Sequence, residues 1–266
     1  MGPDTRRPDA GHGPAGDEEG GGGGRGLETV LRVSGLRKSF GGVPVLDRID
    51  LEVSEGEAVG LVGPNGSGKT TLIRCVSGLL EPDSGAVEVR GTLGVVFQED
   101  LLLPWKTIYE NVELGLRFRG VPEGERRRAV FEAAETLGIS EYLGMYPRQV
   151  SGGTARKAAI ARALVLGPDL LLLDEPFSGL DLGARSALSE ALREIRGRGT
   201  AMLVVSHQIG DLVGVADRVY AVTPRPARVR AHVRLAGLSP EERVRALARL
   251  LLGSSPGRGG TPRSPL

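Results

Sequence analysis

The sequence lacks the features that would place a chain outside the cell or across a membrane. Its 266 residues contain one cysteine, Cys75, so no disulfide framework can form within the chain, and we interpret Cys75 as a small core residue. No apolar run approaches the roughly 18 residues of a membrane span. The polar N-terminus predicts no signal peptide. We therefore expect that the protein reaches a membrane only by docking on something already there.

The sequence also lacks a large excess of either charge. Lysine and arginine number 34 against 33 aspartate and glutamate, which gives a net charge of +1. Proteins that hold nucleic acid mainly through its phosphates carry a strong basic footprint. We therefore predict no nucleic-acid partner, although a local basic patch is compatible with this balance.

The two ends of the chain are poor in apolar residues. Residues 1–26 are mostly Gly, Pro, Asp, Glu and Arg, and residues 254–266 are mostly Pro, Gly, Ser and Arg. Such segments cannot bury enough apolar surface to offset the entropy lost on ordering. We predict disordered tails at 1–26 and 254–266 and one ordered domain over 27–253.

A phosphate-loop motif stands near the start of this domain. Its G-x-x-x-x-G-K-[ST] pattern comprises Gly63, Pro64, Asn65, Gly66, Ser67, Gly68, Lys69 and Thr70. Residues 58–62 before it predict a buried strand and residues 70–76 after it a helix, which is the context the motif requires. Backbone N–H groups and the helix N-terminus would bind phosphates there. A glycine-rich turn arising by chance, in a chain with 41 glycines, is the alternative.

Particular roles follow from the chemistry of this loop. Lys69 is predicted to reach the β- and γ-phosphates, and the Thr70 hydroxyl to ligate Mg²⁺. Thr71 is predicted to place a second hydroxyl at the phosphates. A nucleotide and Mg²⁺ are the ligands that this assignment requires.

The remaining pattern predicts an α/β fold. Short apolar strands at 170–173, 202–205 and 219–222, separated by helices such as 184–196, predict a parallel sheet covered on both faces. Further strands are predicted at 49–53, 87–89 and 93–96. A block of helices at 107–118, 122–137, 141–145 and from about 151 predicts a separate helical lobe at about 100–163. The last helix, 239–253, has a predicted apolar stripe of Val244, Leu247, Leu250 and Leu251.

Polar side chains follow several of these strands. Asp174 and Glu175 end the strand 170–173, His207 follows the strand 202–205, and Gln98 follows 93–96. Ligands bind beyond the carboxyl ends of strands in such sheets. We predict Asp174 as an Mg²⁺ ligand, Glu175 as the residue that polarises the attacking water, and His207 as a γ-phosphate contact. Gln98 is predicted to offer a neutral oxygen to Mg²⁺ or water. Purely structural roles for the histidine and the carboxylates are the alternative.

Two more segments are candidate nucleotide contacts. Phe40, expected in a loop between the first strands, is either a platform for an adenine ring or a core residue at a strand end. Ser151, Gly152 and Gly153 open a helix of the predicted lobe and offer a hydroxyl and backbone donors. Because the phosphate loop is already complete, we predict that this second set closes over the nucleotide of another copy.

In their order, these motifs resemble the ATP-binding subunits of ABC transporters over residues 27–230. The matches are the phosphate loop with Walker A, Gln98 with the Q-loop, Ser151–Gly153 with the signature, residues 170–175 with Walker B, Ser178–Asp181 with the D-loop, His207 with the switch histidine and Phe40 with the A-loop aromatic. The resemblance implies a P-loop NTPase core with a mostly parallel sheet, an N-terminal antiparallel β subdomain and an inserted α-helical subdomain.

The resemblance also implies partners and a location. It implies an ATPase at the cytoplasmic face of the cell membrane, paired with a second ATP-binding subunit, expected to be another copy, and docked on transmembrane permease subunits. A periplasmic or lipoprotein solute-binding protein would act indirectly. Residues 97–112 and 223–226 are similar to the importers of nitrate, sulfonate and taurine. Leu101 to Trp105 would dock a permease helix, and a core role for Trp105 is the alternative.

The signature departs from the family pattern. Val150 stands where the family usually has Leu, and Thr154 where it has Gln. The phosphate donors, which are Ser151 and the backbone N–H groups of Gly152 and Gly153, are unchanged. The replacement of glutamine by Thr154 therefore affects the contact that the glutamine amide would make across the dimer. Two rival functions remain: a soluble ABC ATPase acting in DNA repair or translation, and an attenuated cassette that binds ATP with little turnover.

Overall fold

The computed structural model describes residues 28–252, so both predicted tails, and residues 27 and 253 at the predicted domain ends, lie outside the described residues. Within this range the strands are β1 (Thr29–Phe40), β2 (Val43–Ser54), β3 (Ala58–Val62), β4 (Ser84–Val89), β5 (Leu93–Val96), β6 (Leu170–Asp174), β7 (Ala201–Ser206), β8 (Arg218–Val222) and β9 (Val229–Arg234). The helices are α1 (Lys69–Val76), α2 (Ile108–Phe118), α3 (Glu123–Thr136), α4 (Gly152–Leu164), α5 (Leu182–Gly197), α6 (Gly210–Val213) and α7 (Pro240–Leu252).

The central sheet has the strand order β5-β6-β7-β3-β8-β9. Every neighbouring pair is parallel except β8 and β9, which are antiparallel. The apolar runs of β3, β6 and β7 are buried along their whole length because helices cover one face, while α1 and a second sheet cover the other. This architecture confirms the predicted fold class.

The alternation of side chains along the central strands creates two separate cores. Leu171 and Leu173 of β6 pack with the helical lobe, α5 and α7. Leu170 and Leu172 of the same strand pack with α1 and the antiparallel sheet β2-β1-β4. Because successive side chains of a strand point to opposite faces of the sheet, the leucines of β6 are divided between the two cores.

The helical lobe is inserted between β5 and β6, as predicted. Thr107 begins α2 through a capping box, because its hydroxyl accepts from Glu110 N at 3.2 Å and the Glu110 carboxylate accepts from Thr107 N at 2.8 Å. The predicted helix at 141–145 is wrong: one 3-10 turn, Ser140–Tyr142, replaces it. The carbonyls of Leu143 and Met145 instead accept hydrogen bonds from the first N–H groups of α2.

Three other sequence expectations need correction. Phe40 is the last residue of β1 rather than part of a loop. Residues 229–234 form β9, a strand that the sequence pattern did not predict. The apolar stripe of α7 is narrower than predicted, because Leu247 and Leu250 are buried while Val244 and Leu251 are about half exposed.

Within residues 28–252, none of the helices is both long and apolar enough to cross a bilayer.

Candidate active site

The phosphate loop connects β3 to α1 at the carboxyl edge of the central sheet. Gly68 begins α1 with a φ of 113°, a left-handed conformation, and a Cβ there would lie 2.9 Å from Val45 Cγ1. Glycine is therefore required both for its backbone angle and for the space it leaves. The first turn of α1 contains no acidic residue, so nothing there opposes an anion.

Lys69 is held inside this loop. Its Nζ donates to Gly63 O at 2.8 Å and to Pro64 O at 3.1 Å, and lies 3.7 Å from Glu175 Oε1. The side chain is only 7% exposed. Burial lowers the pKa of the Lys69 ammonium from its ordinary value, and the negative charge of Glu175 opposes that shift. The ammonium is thus positioned before any phosphate arrives.

Asp174 is the last residue of β6 and is 1% exposed. Neither of its carboxylate oxygens has a hydrogen-bond partner among the described residues. Burial raises the pKa of the Asp174 carboxyl above its ordinary value. A buried carboxylate without a partner is costly unless a ligand completes its coordination.

Glu175, the next residue, turns sharply out of the strand. Its φ of 51° is left-handed, which is uncommon for a residue with a side chain, and its N–H donates to Val205 O of β7 at 2.9 Å. This conformation directs the carboxylate toward His207, whose Nδ1 lies 2.7 Å from Glu175 Oε2. Because β6 and β7 are neighbours, the two side chains that follow them meet at one edge, as predicted.

These groups share a cavity of about 440 Å³. The predicted residues lining it are Asn65, Gly66, Gly68, Lys69, Thr70, Thr71, Gln98, Glu175 and His207. Val45, Ser178 and Arg225 also line it, although the sequence reading assigned no site role to them. Arg225 adds positive charge, and its place after the strand end of β8 was the signal available in the sequence.

The residues present fit Mg²⁺. Thr70 and Gln98 offer neutral oxygens beside the cavity, and Asp174 offers two unpartnered carboxylate oxygens at the strand end next to it. Mg²⁺ prefers oxygen ligands and binds through few carboxylates together with substrate phosphates. An orphaned carboxylate beside a phosphate loop is therefore the donor set expected for this ion.

Gln98 is anchored by the signature helix α4. Arg156, buried in α4, donates from Nη1 to Phe97 O at 2.9 Å and from Nη2 to Gln98 O. Its Nε also lies 2.9 Å from Asp100 Oδ1. The sequence alone assigned no function to Arg156.

The structure does not bring Phe40 or the signature residues into this cavity. Phe40 is 47% exposed, so its interpretation as a core residue is wrong, and its adenine contact stays a prediction. Ser151 caps α4 by accepting from Thr154 N at 3.1 Å, and its Oγ lies 3.0 Å from Thr154 Oγ1. Gly152 and Gly153 form the first turn, so the Ser151–Gly153 segment presents its donors outside the cavity of its own chain.

Comparisons with known proteins agree with this geometry. The family described as ABC transporter matches residues 46–178. The aliphatic sulfonates import ATP-binding protein SsuB 1 of Nocardia farcinica is 40% identical over 243 residues, which cover 89% of this chain and 96% of that protein. The methionine import ATP-binding protein MetN of Rhizobium etli is 37% identical over 212 residues, or 73% of this chain and 59% of that protein.

The chain is also similar to a cassette whose structure was solved as a dimer. The chain aligns with a dimeric ATP-binding cassette in a post-hydrolysis state bound to ADP and Pi, with a TM-score of 0.70 and 27% identity. The alignment covers 78% of this chain and 100% of that one.

Proposed function

Because this chain belongs to the family of ABC transporter ATP-binding proteins, we propose that it hydrolyses MgATP between two of its copies to drive import of a small solute. Family membership confirms the resemblance inferred from the motifs and the predicted ATPase activity, ATP + H₂O to ADP + phosphate. The site roles, the partners and the solute are the proposal.

The observation that carries the site assignment is the contact set around Glu175. Its Oε1 faces the Lys69 ammonium at 3.7 Å and its Oε2 faces His207 at 2.7 Å. Lys69 and the loop N–H groups would bind the phosphates, and Thr70, Asp174 and Gln98 would hold Mg²⁺. The ion would supply charge neutralisation on the transferred phosphoryl group. The Glu175 carboxylate would orient and polarise a water beside it, with His207 fixing the carboxylate.

We propose that the second half of each site comes from another copy. The Ser151 side chain makes only local hydrogen bonds, and Ser151, Gly152 and Gly153 do not line the cavity of their own chain. The dimeric relative bound to ADP and Pi supports such an arrangement. Ser151, Gly152 and Gly153 would then contact the γ-phosphate held by the partner's Walker A loop. Phe40 would stack on the adenine.

We propose that the segment 101–105 docks transmembrane permease subunits at the cytoplasmic face of the membrane. Trp105 is 70% exposed, so its interpretation as a core residue is wrong, and Leu101 is 58% exposed. The segment is nevertheless firmly held, because Arg162 Nη1 donates to Leu101 O at 2.7 Å and Leu103 N donates to Asn111 Oδ1 at 2.7 Å. An apolar surface on a fixed backbone is suited to binding a partner helix.

The solute class follows the named relatives. Several relatives of about 40% identity are named for import of aliphatic sulfonates, which supports a small sulfonate such as taurine, or nitrate, as the solute. The test is to identify the permease subunits that co-purify from detergent-solubilised membranes and to reconstitute them with this chain. ATP-dependent uptake of an alkanesulfonate is the expected result. Selective uptake of methionine would replace the solute assignment and leave the ATPase assignment intact.

The ATPase mechanism is tested by Glu175→Gln, which keeps the shape and removes the charge. We expect turnover to fall about 100-fold or more, while ATP affinity is retained and an ATP-bound dimer accumulates in size-exclusion chromatography. Glu190→Gln, an exposed glutamate of α5, is the matched control and should leave turnover unchanged. Unchanged hydrolysis in Glu175→Gln would remove Glu175 from the mechanism.

A second candidate function rests on the altered signature. The Thr154 hydroxyl lies 3.0 Å from Ser151 Oγ, so it competes for the group that would contact a phosphate. This contact favours an attenuated cassette that binds ATP and turns it over slowly. Phosphate release by the purified protein separates this candidate from an ordinary transport ATPase.

A further inference from the structure

A chain of hydrogen bonds leads from helix α5 to the switch histidine. Arg185 Nη1 lies 3.0 Å from Gln208 Oε1, Gln208 Nε2 lies 3.2 Å from His207 Nε2, and His207 Nδ1 lies 2.7 Å from Glu175 Oε2. Neither Arg185 nor Gln208 has a place in the proposed chemistry. The order of donors along this chain can be worked out from its first member.

Arg185 determines the direction of every later hydrogen bond. A guanidinium donates and never accepts, so the atom of Gln208 that faces Arg185 must be its carbonyl oxygen. The amide NH₂ of Gln208 therefore faces the histidine and donates to Nε2, which must carry a lone pair. The ring hydrogen of a neutral His207 then sits on Nδ1 and is donated to the Glu175 carboxylate.

Arg185 is itself fixed at several points. Its Nη1 also donates to Asp211 Oδ1 at 2.8 Å, and its Nε donates to Leu180 O at 3.0 Å. Asp211 is buried, and its other oxygen accepts from Ser206 Oγ at 2.7 Å. The guanidinium thus joins α5 to the end of β7, where the histidine stands.

We propose that Gln208, oriented by Arg185, is a positioning residue that fixes the switch histidine as the Nδ1–H tautomer and so directs its hydrogen to Glu175. The inference rests on the proposed roles of His207 and Glu175. Its consequence is that one carboxylate oxygen of Glu175 is held by an N–H group. The other oxygen faces Lys69 and the cavity.

The direct test is the tautomer of His207, measured by ¹⁵N NMR on the full chain without nucleotide at a pH where the ring is neutral. The chain has three histidines, so substitutions of His12 and His232 assign the signals. We expect an unprotonated Nε2 in the wild type. In Gln208→Glu both ring nitrogens face a carboxylate that only accepts, so Nε2 should gain a hydrogen while Nδ1 keeps its own, and the Nε2 signal should change to that of a protonated nitrogen.

Kinetics test whether this tautomer matters for turnover. Gln208→Glu should lower kcat about three- to tenfold with KM changed less than twofold, because an exposed hydrogen bond is being reversed. Gln208→Met, which removes the donor without adding an acceptor, should mix the tautomers and give a smaller loss. Arg185→Met should shift the NMR signal in the same direction as Gln208→Met. Arg193→Met on the same helix should not.

Two results would overturn the inference. One is an Nε2–H signal in the folded wild-type chain. The other is a Gln208→Glu variant whose Nε2 becomes protonated with no loss of kcat. Neither result affects the Glu175→Gln experiment, so failure of this inference is distinguishable from failure of the proposed ATPase mechanism.

Discussion

The two regions proposed to bind phosphate differ in how completely a single chain builds them. In the Walker A region, residues 63–71, the tip at 64–66 is exposed, but Lys69 is buried and is already held by two carbonyls near a carboxylate. The signature tip, residues 151–154, is exposed at Ser151 and Gly152 and half-buried at Gly153 and Thr154, and its side chains bond only within its own first turn. One region is complete within a single chain, whereas the other offers donors that its own cavity does not use. The difference indicates a site shared between copies.

The largest expected effect comes from removing the buried ammonium. Lys69→Ala should weaken ATP binding about 10- to 100-fold, because a charge-assisted contact is lost where water cannot replace it, and should abolish turnover. Isothermal titration with ATP measures the affinity. Lys106→Ala, on a partly buried lysine of the helical lobe that pairs with Glu110 and does not line the cavity, is the control and should bind normally. Undiminished affinity in Lys69→Ala would contradict the Walker A assignment.

Mixing variants tests whether the two regions act across copies. Ser151→Arg places a bulky cation at the signature tip, and we expect it to be inactive alone, as is Lys69→Ala. When the two variants are mixed, half of the dimers are mixed and each retains one intact composite site, so about a quarter of wild-type ATPase activity should return.

A reciprocal mixture provides the control. When a chain carrying both substitutions is mixed with wild type, both sites of every mixed dimer are defective. The ATPase activity of this mixture should not exceed that of the wild-type dimers it contains. If Lys69→Ala and Ser151→Arg do not complement each other, the shared site is wrong and the signature tip acts elsewhere.

Because the carboxylate of Asp174 has no hydrogen-bond partner, we predict that replacing Asp174 lowers activity but raises stability. Asp174→Asn should abolish turnover yet raise the melting temperature of the nucleotide-free chain by about 2–4 °C, because an amide is less costly to bury than a charge. Differential scanning calorimetry measures the shift. Added MgATP should stabilise the wild type more than the variant.

The pH dependence of this gain follows from the raised pKa. The folded chain binds the Asp174 proton more tightly than the unfolded chain, so this residue stabilises the fold at low pH and loses that contribution as pH rises through its raised pKa. The advantage of Asp174→Asn should therefore be smallest below the ordinary pKa of a carboxyl group and should grow as pH rises through the raised pKa. A lower melting temperature at pH 8 would mean that the carboxylate has a stabilising partner instead.

The smallest effect is expected at the altered signature position. Thr154→Gln removes the hydroxyl beside Ser151 Oγ and restores the amide usual in the family, so turnover should rise about two- to fivefold, the worth of one exposed hydrogen bond. Thr154→Val, which removes only the hydroxyl, separates the two causes. If neither variant exceeds the wild type in phosphate release, the attenuated-cassette candidate is wrong.

Much of the site could be predicted because it depends on local pattern and on one rule of sheet geometry. Asp174, Glu175 and His207 each follow an apolar strand, and parallel strands end at a common edge, so their proximity follows without coordinates. The same rule placed Gln98 at the cavity. The link from Arg185 through Gln208 could not be predicted, because it depends on how α5 packs beside the end of β7.

The wrong sequence predictions also result from contacts between elements that lie far apart in the chain. Residues 141–145 have a helical pattern, but the first N–H groups of α2 take the carbonyls of Leu143 and Met145. The predicted stripe of α7 was too broad, because Leu247 and Leu250 are buried with Ala246 packed beside them, while Val244 and Leu251 lie outside this contact. Ser151 was assigned correctly to a helix start, yet its local bonds with Thr154 depend on side-chain placement.

The order and spacing of residues alone determined the phosphate loop, the strands with polar ends and membership in a transport ATPase family, because these depend on contacts close along the chain or on the common edge of a sheet. Only the tertiary structure decided that Glu175 lies between Lys69 and His207, that Asp174 lacks a partner, and that Arg185 reaches Gln208. Those arrangements depend on distances between elements up to about a hundred residues apart, which packing sets and local pattern does not.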